Sequence, residues 1–448
     1  MKMKIHFNQN SLVIWLLFGV ALLLIFFPSH SIAGYDYIDI NNPYIKKIPI
    51  AVPLFKEMNG SMDERTKSRE ASALLSDTLE FTGYFKMIDH GAFLEHPEEK
   101  GISETSINFK NWTVIGAELL ITGGISMSGN NITLEMRLFD TFKAKRLIGK
   151  KYTGEVTDLR MIIRKFCNDV MYQLTGSHGF FNSKIAFVSS GTGKKEIYIC
   201  DFDGYNPRQI TKSNSISLSP AWSTDGNWLA YTSYARGKPD LYIKNLKENK
   251  VSVVAKEGVN ITPAWVPGKF ELAATLSFSG DPEIYMLTGG GKVIKRVTRN
   301  WGIDVSPSFS PDGRKMAFVS KRSGNPQIYC QDLSSEQVKR LTFHGKNNTT
   351  PSWSPKGDKI VYSSMEKGLF NVYMIGADGG DATQLTNDAG DNESPTWSPD
   401  GSLIAFCSTR EGVSRIYVMT SYGTEQRRLF SMSGEQTNPK WSSNNMGN

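Results

Sequence analysis

Histidine and cysteine are scarce in this chain, six and four among 448 residues. The four cysteines, Cys167, Cys200, Cys330 and Cys407, form no Cys-x-x-Cys pair, so the common zinc and dithiol motifs are excluded. They fall at unrelated positions, which favours free buried thiols over disulfides. Beyond the first 33 residues only His90, His96, His178 and His344 remain, and none stands at metal-ligand spacing from another. There is no Gly-x-Ser-x-Gly nucleophile elbow. Gly191-Thr192-Gly193-Lys194-Lys195 lacks the spacing and final hydroxyl of a phosphate-binding loop and reads as a hairpin turn. Asp201 to Asn206 starts like a calcium loop but lacks the closing bidentate glutamate, so a turn is expected there too. The formal charge is +7, yet lysine and arginine are scattered rather than clustered, which argues against a nucleic-acid surface. No catalytic residue, metal or cofactor is therefore expected, and the protein is read as a non-enzyme.

The first 33 residues differ from the rest. Lys2 and Lys4 precede an apolar run from Leu12 to Phe27, and Ser31-Ile32-Ala33 precedes Gly34. A charged start, an apolar middle and small residues at the end make a secretory signal peptide over 1–33, with cleavage expected after Ala33. No later segment is apolar enough to span a membrane, so no direct membrane insertion is expected after cleavage.

What the chain does have is a repeat. A proline two residues before a large aromatic recurs at Pro220/Trp222, Pro263/Trp265, Pro307/Phe309, Pro351/Trp353, Pro395/Trp397 and Pro439/Trp441, in steps of 43 or 44 residues. About four short strands fit in each period, the mark of a β-propeller blade. Asp-Gly pairs at 225–226, 312–313 and 400–401 suit two-residue hairpin turns. An apolar triplet with a small middle residue follows each turn, as in Leu229-Ala230-Tyr231 and Met316-Ala317-Phe318. Five of the nine tryptophans fall in this register, which marks them as core. The first triplet, Ile185-Ala186-Phe187, has no proline-aromatic segment before it, and the last such segment, Asn438 to Ser442, has no strands after it. The two ends complete one blade, predicting an all-β six-bladed propeller over 182–444 closed by the C-terminal strand.

Residues 44–178 lack the period and alternate strand with helix, giving an α/β N-terminal domain. Strands are expected over Ile48–Leu54 and Tyr84–Ile88. A hairpin is expected over Glu118–Met127 and Asn131–Phe139, with a further strand over Arg146–Tyr152. Helices are expected from Asp63 to Phe81 and from Val156 to Leu174, the second carrying Leu159, Ile162, Ile163, Phe166 and Val170 on one face. Residues 34–43 ahead of this domain read as a tail.

Several phrases resemble the TolB family, the periplasmic component of the Tol-Pal envelope system of Gram-negative bacteria. They are Leu174-Thr175-Gly176-Ser177-His178-Gly179-Phe180-Phe181 with Lys184 to Val188, Thr82-Gly83-Tyr84-Phe85, Gly116-Ala117-Glu118 and Tyr205-Asn206. The resemblance covers nearly the whole chain after the leader. It implies a non-catalytic periplasmic scaffold that binds the lipoprotein Pal through the propeller and signals to TolA through the tail, supporting outer-membrane integrity and constriction at division. Pal would dock on the loops Val259-Asn260, Asp304-Val305, Asn347-Asn348-Thr349 and Asp391-Asn392-Glu393. TolA would meet Tyr35, Asp36, Tyr37, Ile38, Asp39 and Ile40. On its own the protein is expected to be a monomer. The alternative is an exported propeller that binds another envelope protein or a carbohydrate.

Overall fold

The structure, a computed structural model, describes residues 46–387 and 390–444. The expected leader and tail, including Tyr35 to Ile40, lie outside the described residues.

In the N-terminal domain, strand Ile48–Ala51 pairs in parallel with Phe85–Met87 on one side and with Leu119–Ser128 on the other. Leu119–Ser128 continues antiparallel through Asn131–Asp140 to Lys145–Glu155. Period-2 alternation sends Ile50, Ile121, Leu134 and Leu138 to one face, where they pack against helices Met62–Glu80 and Leu159–Thr175. Ala51, Leu120 and Phe139 go to the other face, over Trp112. The expected helix from Val156 is a 3-10 turn as far as Asp158, closed by reciprocal Glu155 and Asp158 caps, and becomes α-helical at Leu159. Gly176, at φ 74°, ends it. The short helices Pro97–Lys100 and Phe109–Val114 have no strong periodicity and were not expected. The second of these is tied down where Trp112 Nε1 donates to the buried Glu95 carboxylate at 3.1 Å.

The propeller has six four-stranded antiparallel blades, and the last joins Gln436–Trp441 to Lys184–Ser189, Glu196–Asp201 and Arg208–Gln209, so the ring closes as expected. The small residue of each apolar triplet, such as Ala230, Ala273 or Ala405, is fully buried and lets the next sheet approach. Tryptophans of the repeat latch neighbouring blades. Trp222 Nε1 donates to Lys440 O at 3.0 Å, Trp265 to Ala221 O at 3.2 Å and Trp397 to Ser352 O at 3.1 Å.

Two local features depart from the sequence reading. The Asp-Gly pairs do not form two-residue turns. Each sits in a longer connection in which a serine hydroxyl holds the aspartate, as Ser310 donates to Asp312 Oδ1 at 2.6 Å and accepts from Lys315 N at 2.9 Å. A two-residue turn with both φ positive occurs instead at Lys367-Gly368. The innermost strands also bulge. Ser219, Thr262, Ser306, Thr350, Ser394 and Asn438, each just before the repeated proline, lie at φ between 48° and 57°, and the pairing register shifts there. Proline cannot donate to the ladder, so the extra residue is accommodated at that point.

The α/β domain sits against the connections between first and second strands and between third and fourth strands. Arg164 pairs with Asp201 at 2.8 Å, Arg160 pairs with Asp203, and Lys47 pairs with Glu425 at 2.9 Å. Phe81 meets Phe202 edge-on at 5.3 Å between ring centres. The other connections, from second to third strand and from one blade to the next, emerge on the opposite face because successive strands are antiparallel.

Candidate functional site

That opposite face is built on six blade-to-blade crossings, residues 210–216, 255–259, 297–303, 341–346, 385–387 with 390–391, and 429–435. In four of them the first or second residue of the following inner strand lies buried beneath the crossing and holds its backbone. Asn260 accepts from Lys256 N at 3.2 Å and donates to Lys256 O at 2.9 Å. Asn348 donates to His344 O at 2.7 Å, and Asn392 to Gly390 O at 3.2 Å. Gln436 donates to Met432 O and Ser433 O, both at 3.1 Å. These amides also bind the third strand of the preceding blade, as Asn348 Nδ2 does with Gln327 Oε1 at 2.9 Å and Asn392 with Asn371 Oδ1 at 3.2 Å. A buried amide with two such partners fixes crossing and blade boundary together.

The crossing at 297–303 uses carboxylates. Glu283, fully buried, accepts from Asn300 N at 2.9 Å, from Arg296 at 2.8 Å and from the Thr298 hydroxyl. Asp281 accepts from Gly302 N at 3.0 Å. Beside them, Asp304 pairs with Arg322 at 2.8 Å. Burial pushes the Asp304 carboxyl above its ordinary range and Glu283 adds to this, against the Ser320 hydroxyl and the Arg322 guanidinium. Glu393 is likewise raised, by burial and by the neighbouring Asp391.

The residues singled out in the sequence thus share one face, but most are not in loops. Only Val259 and Asp391 precede the strands. Asn260, Asp304, Val305, Asn347, Asn348, Thr349, Asn392 and Glu393 lie within them, because pairing with the second strand begins ahead of the bulge. Asn260, Asp304, Asn348 and Asn392 are buried and work from beneath, whereas Val259, Val305, Asn347, Thr349, Asp391 and Glu393 keep part of their surface open.

Sequence reasoning missed the aromatic residues on this face. Trp301 is 75 % exposed and Phe343 67 % exposed, on neighbouring crossings, and Phe278 and Tyr234 are also exposed nearby on second-to-third connections. Arg340 lies 4.8 Å from the Phe343 ring centre and Lys256 5.8 Å from that of Phe278. Trp301 stands outside the 44-residue register, and that departure was the available signal.

On the covered side, a cleft of about 270 Å³ opens between the domains, lined by Tyr84, Met171, His178, Lys356, Asp400 and Asn444 among others. The four cysteines are free and buried, and burial pushes Cys330 and Cys407 up to about 11, which keeps them protonated and inert. Among the described residues no cluster of histidine, cysteine and carboxylate side chains could hold a metal, and no helix is long and apolar enough to cross a membrane.

Comparison with known proteins follows the same division of the chain. Residues 36–147 match the model of the TolB amino-terminal domain, and residues 171–445 match that of the TolB beta propeller domain. The Tol-Pal system protein TolB of Desulfosudis oleivorans is 58 % identical over 282 residues, 63 % of this chain and 64 % of that relative. The protein TolB homolog of Chlorobaculum tepidum is 44 % identical over 292 residues, 65 % of either chain. In both cases the matched stretch spans just under two thirds of the relative's length. The crystal structure of TolB from Acinetobacter baumannii superposes with a TM-score of 0.78 at 27 % identity, covering 89 % of this chain and 97 % of that one.

Proposed function

The chain belongs to the TolB family, and from that premise we propose that it is a non-catalytic periplasmic scaffold of the Tol-Pal system. The free face of the propeller binds the lipoprotein Pal, and the segment Tyr35, Asp36, Tyr37, Ile38, Asp39, Ile40 signals to TolA. The observation that carries this reading is the contrast between the two faces. One is covered by the α/β domain through ion pairs and edge-on phenylalanines, while the other presents crossings fixed by buried amides and carboxylates. Rigid scaffolds display binding residues in this way. Val259, Val305, Asn347, Thr349, Asp391 and Glu393 would touch Pal directly, with Asn260, Asp304, Asn348 and Asn392 holding the surface from below.

Signalling requires that Pal have different affinities for the two states of the tail, docked on its own protein or free for TolA, and such coupling is reciprocal. The role in outer-membrane integrity and constriction at division follows from linking Pal to TolA. A pull-down from envelope extract tests the reading with residues 34–448 as bait. Recovery of Pal, with the tail becoming more or less open to protease when Pal is added, is the expected result. Failure to recover Pal would remove the proposal, and tail cleavage indifferent to Pal would remove its signalling part.

A further inference from the structure

Trp301 and Phe343 are the two most exposed large aromatics of the propeller. Leaving such rings in water forgoes the favourable burial of their apolar surface, so a persistent exposed pair calls for an occupant. Neither ring rides on a slack loop. The backbone around Trp301 is held on both sides, at Asn300 N by Glu283 and at Gly302 N by Asp281, at 2.9 and 3.0 Å. The Phe343 crossing is held at His344 O by Asn348 and at Gly345 O by Gln327, at 2.7 and 3.0 Å. A ring whose backbone is already ordered loses little entropy on binding, and this is how interface hot spots achieve affinity.

Cationic side chains predominate around the pair. Arg299, Lys321 and Lys346 are exposed beside the two crossings, and none of them is ion-paired among the described residues. Lys321 is joined to the Trp301 crossing through its own N–H, which donates to Ile303 O at 3.1 Å. Of the surface carboxylates beside the two crossings, Asp281 is occupied by Gly302 N, and Glu366, next to the Met365 carbonyl that accepts from Lys346 N, is hydrogen-bonded to the Tyr373 side chain.

From this we infer that Trp301 and Phe343 are the anchor residues of the docking face, and that the partner seated on them offers apolar pockets rimmed by carboxylates. The inference rests on the Pal reading and specifies where and with what chemistry Pal is held. The carboxylate rim would meet Arg299, Lys321 and Lys346, speeding encounter and fixing orientation, while the two rings supply most of the affinity.

The test titrates the purified soluble domain of Pal from the same bacterium into the full chain without its leader, at low and moderate salt. Trp301→Ala and Phe343→Ala are each expected to raise Kd by about 10- to 100-fold. Their thermal midpoints should stay unchanged, since both rings are exposed. Val413→Ala, on the same face but away from the pair, should change Kd less than about twofold. Lys321→Glu is expected to slow association several-fold at low salt and to lose that effect as salt rises. If the wild type binds Pal while both aromatic variants bind within about twofold of it, the anchors are refuted and Pal binding stands. If Lys321→Glu associates at the wild-type rate, the carboxylate rim is refuted. If the wild type fails to bind Pal, both this inference and the function beneath it fall.

Discussion

Replacing Trp441 by alanine should open the ring at its seam. Trp441 ends the C-terminal strand, is 8 % exposed, donates from Nε1 to the Ser183 hydroxyl at 2.7 Å and meets the Phe180 ring edge-on at 5.7 Å. It joins the last strand of the chain to the segment where the propeller begins, so its loss acts on the closure that covers both sheet edges. Removing a buried tryptophan costs about 3–5 kcal/mol, hydrogen bond included. With a midpoint shift of about 2–4 °C per kcal/mol for a domain of this size, Tm should fall by roughly 6–20 °C. Trp441→Phe keeps the ring contact and loses mainly the Ser183 bond, so its cost should be about 1–2 kcal/mol. Thermal unfolding followed by near-ultraviolet circular dichroism reads both. An alanine variant whose midpoint lies within about 2 °C of the wild type would refute closure as a main support of the propeller. Trp301→Ala serves as the contrast, because an exposed indole should leave stability within about 0.5 kcal/mol.

Three further outcomes follow from the same contacts. Lys440 lies half-buried in the closing inner strand, and desolvation there pushes its ammonium down to about 8. A lysine lowered in the folded state binds fewer protons there than when unfolded, so stability should rise as pH climbs from about 8 towards the unfolded value near 10.4. Lys440→Met should abolish that rise and add about 1–3 kcal/mol at pH 7 in urea unfolding. For Asp201, burial is outweighed by the Lys184 ammonium and the Arg164 guanidinium, which hold the carboxyl below its ordinary value. Its contribution is therefore full above the unfolded value near 3.9 and is lost as pH falls through the folded value. Asp201→Asn should cost about 1–3 kcal/mol at pH 7 and progressively less as pH falls below about 4. Lys367 occupies φ 51° in the Lys367-Gly368 turn. Lys367→Asn, better suited to that conformation, should stabilise by about 0.5–1 kcal/mol in the same assay.

The architecture was legible because a repeat reports the same packing problem six times. Proline before a tryptophan or phenylalanine recurs wherever an inner strand must bulge and then seat a ring between blades, so the period and the closing strand could both be read from residue positions. The residues that shape the open face were legible only as a place. Asn260, Asp304, Asn348 and Asn392 are polar residues beside an apolar strand, and sequence alone does not distinguish an exposed ligand contact from a buried amide beneath a crossing. Hydrogen bonds between residues four apart across a turn, such as that from Asn348 to His344 O, settle that question. Trp301 and Phe343 follow no period, so an argument from repeats passed over them. The Asp-Gly turns were misread because the serine two residues before each aspartate, Ser223, Ser310 or Ser398, takes part in the turn and lengthens it.

On the proposed reading, the face away from the α/β domain receives the lipoprotein partner. Hydrogen–deuterium exchange on the full chain without its leader, with and without the soluble domain of Pal, tests it most directly. Slowed exchange is expected in the crossings 255–259, 297–303 and 341–346, with residues 246–250 and 310–314 on the opposite face unaffected. Protection confined to those opposite connections, or to the α/β domain alone, would contradict it.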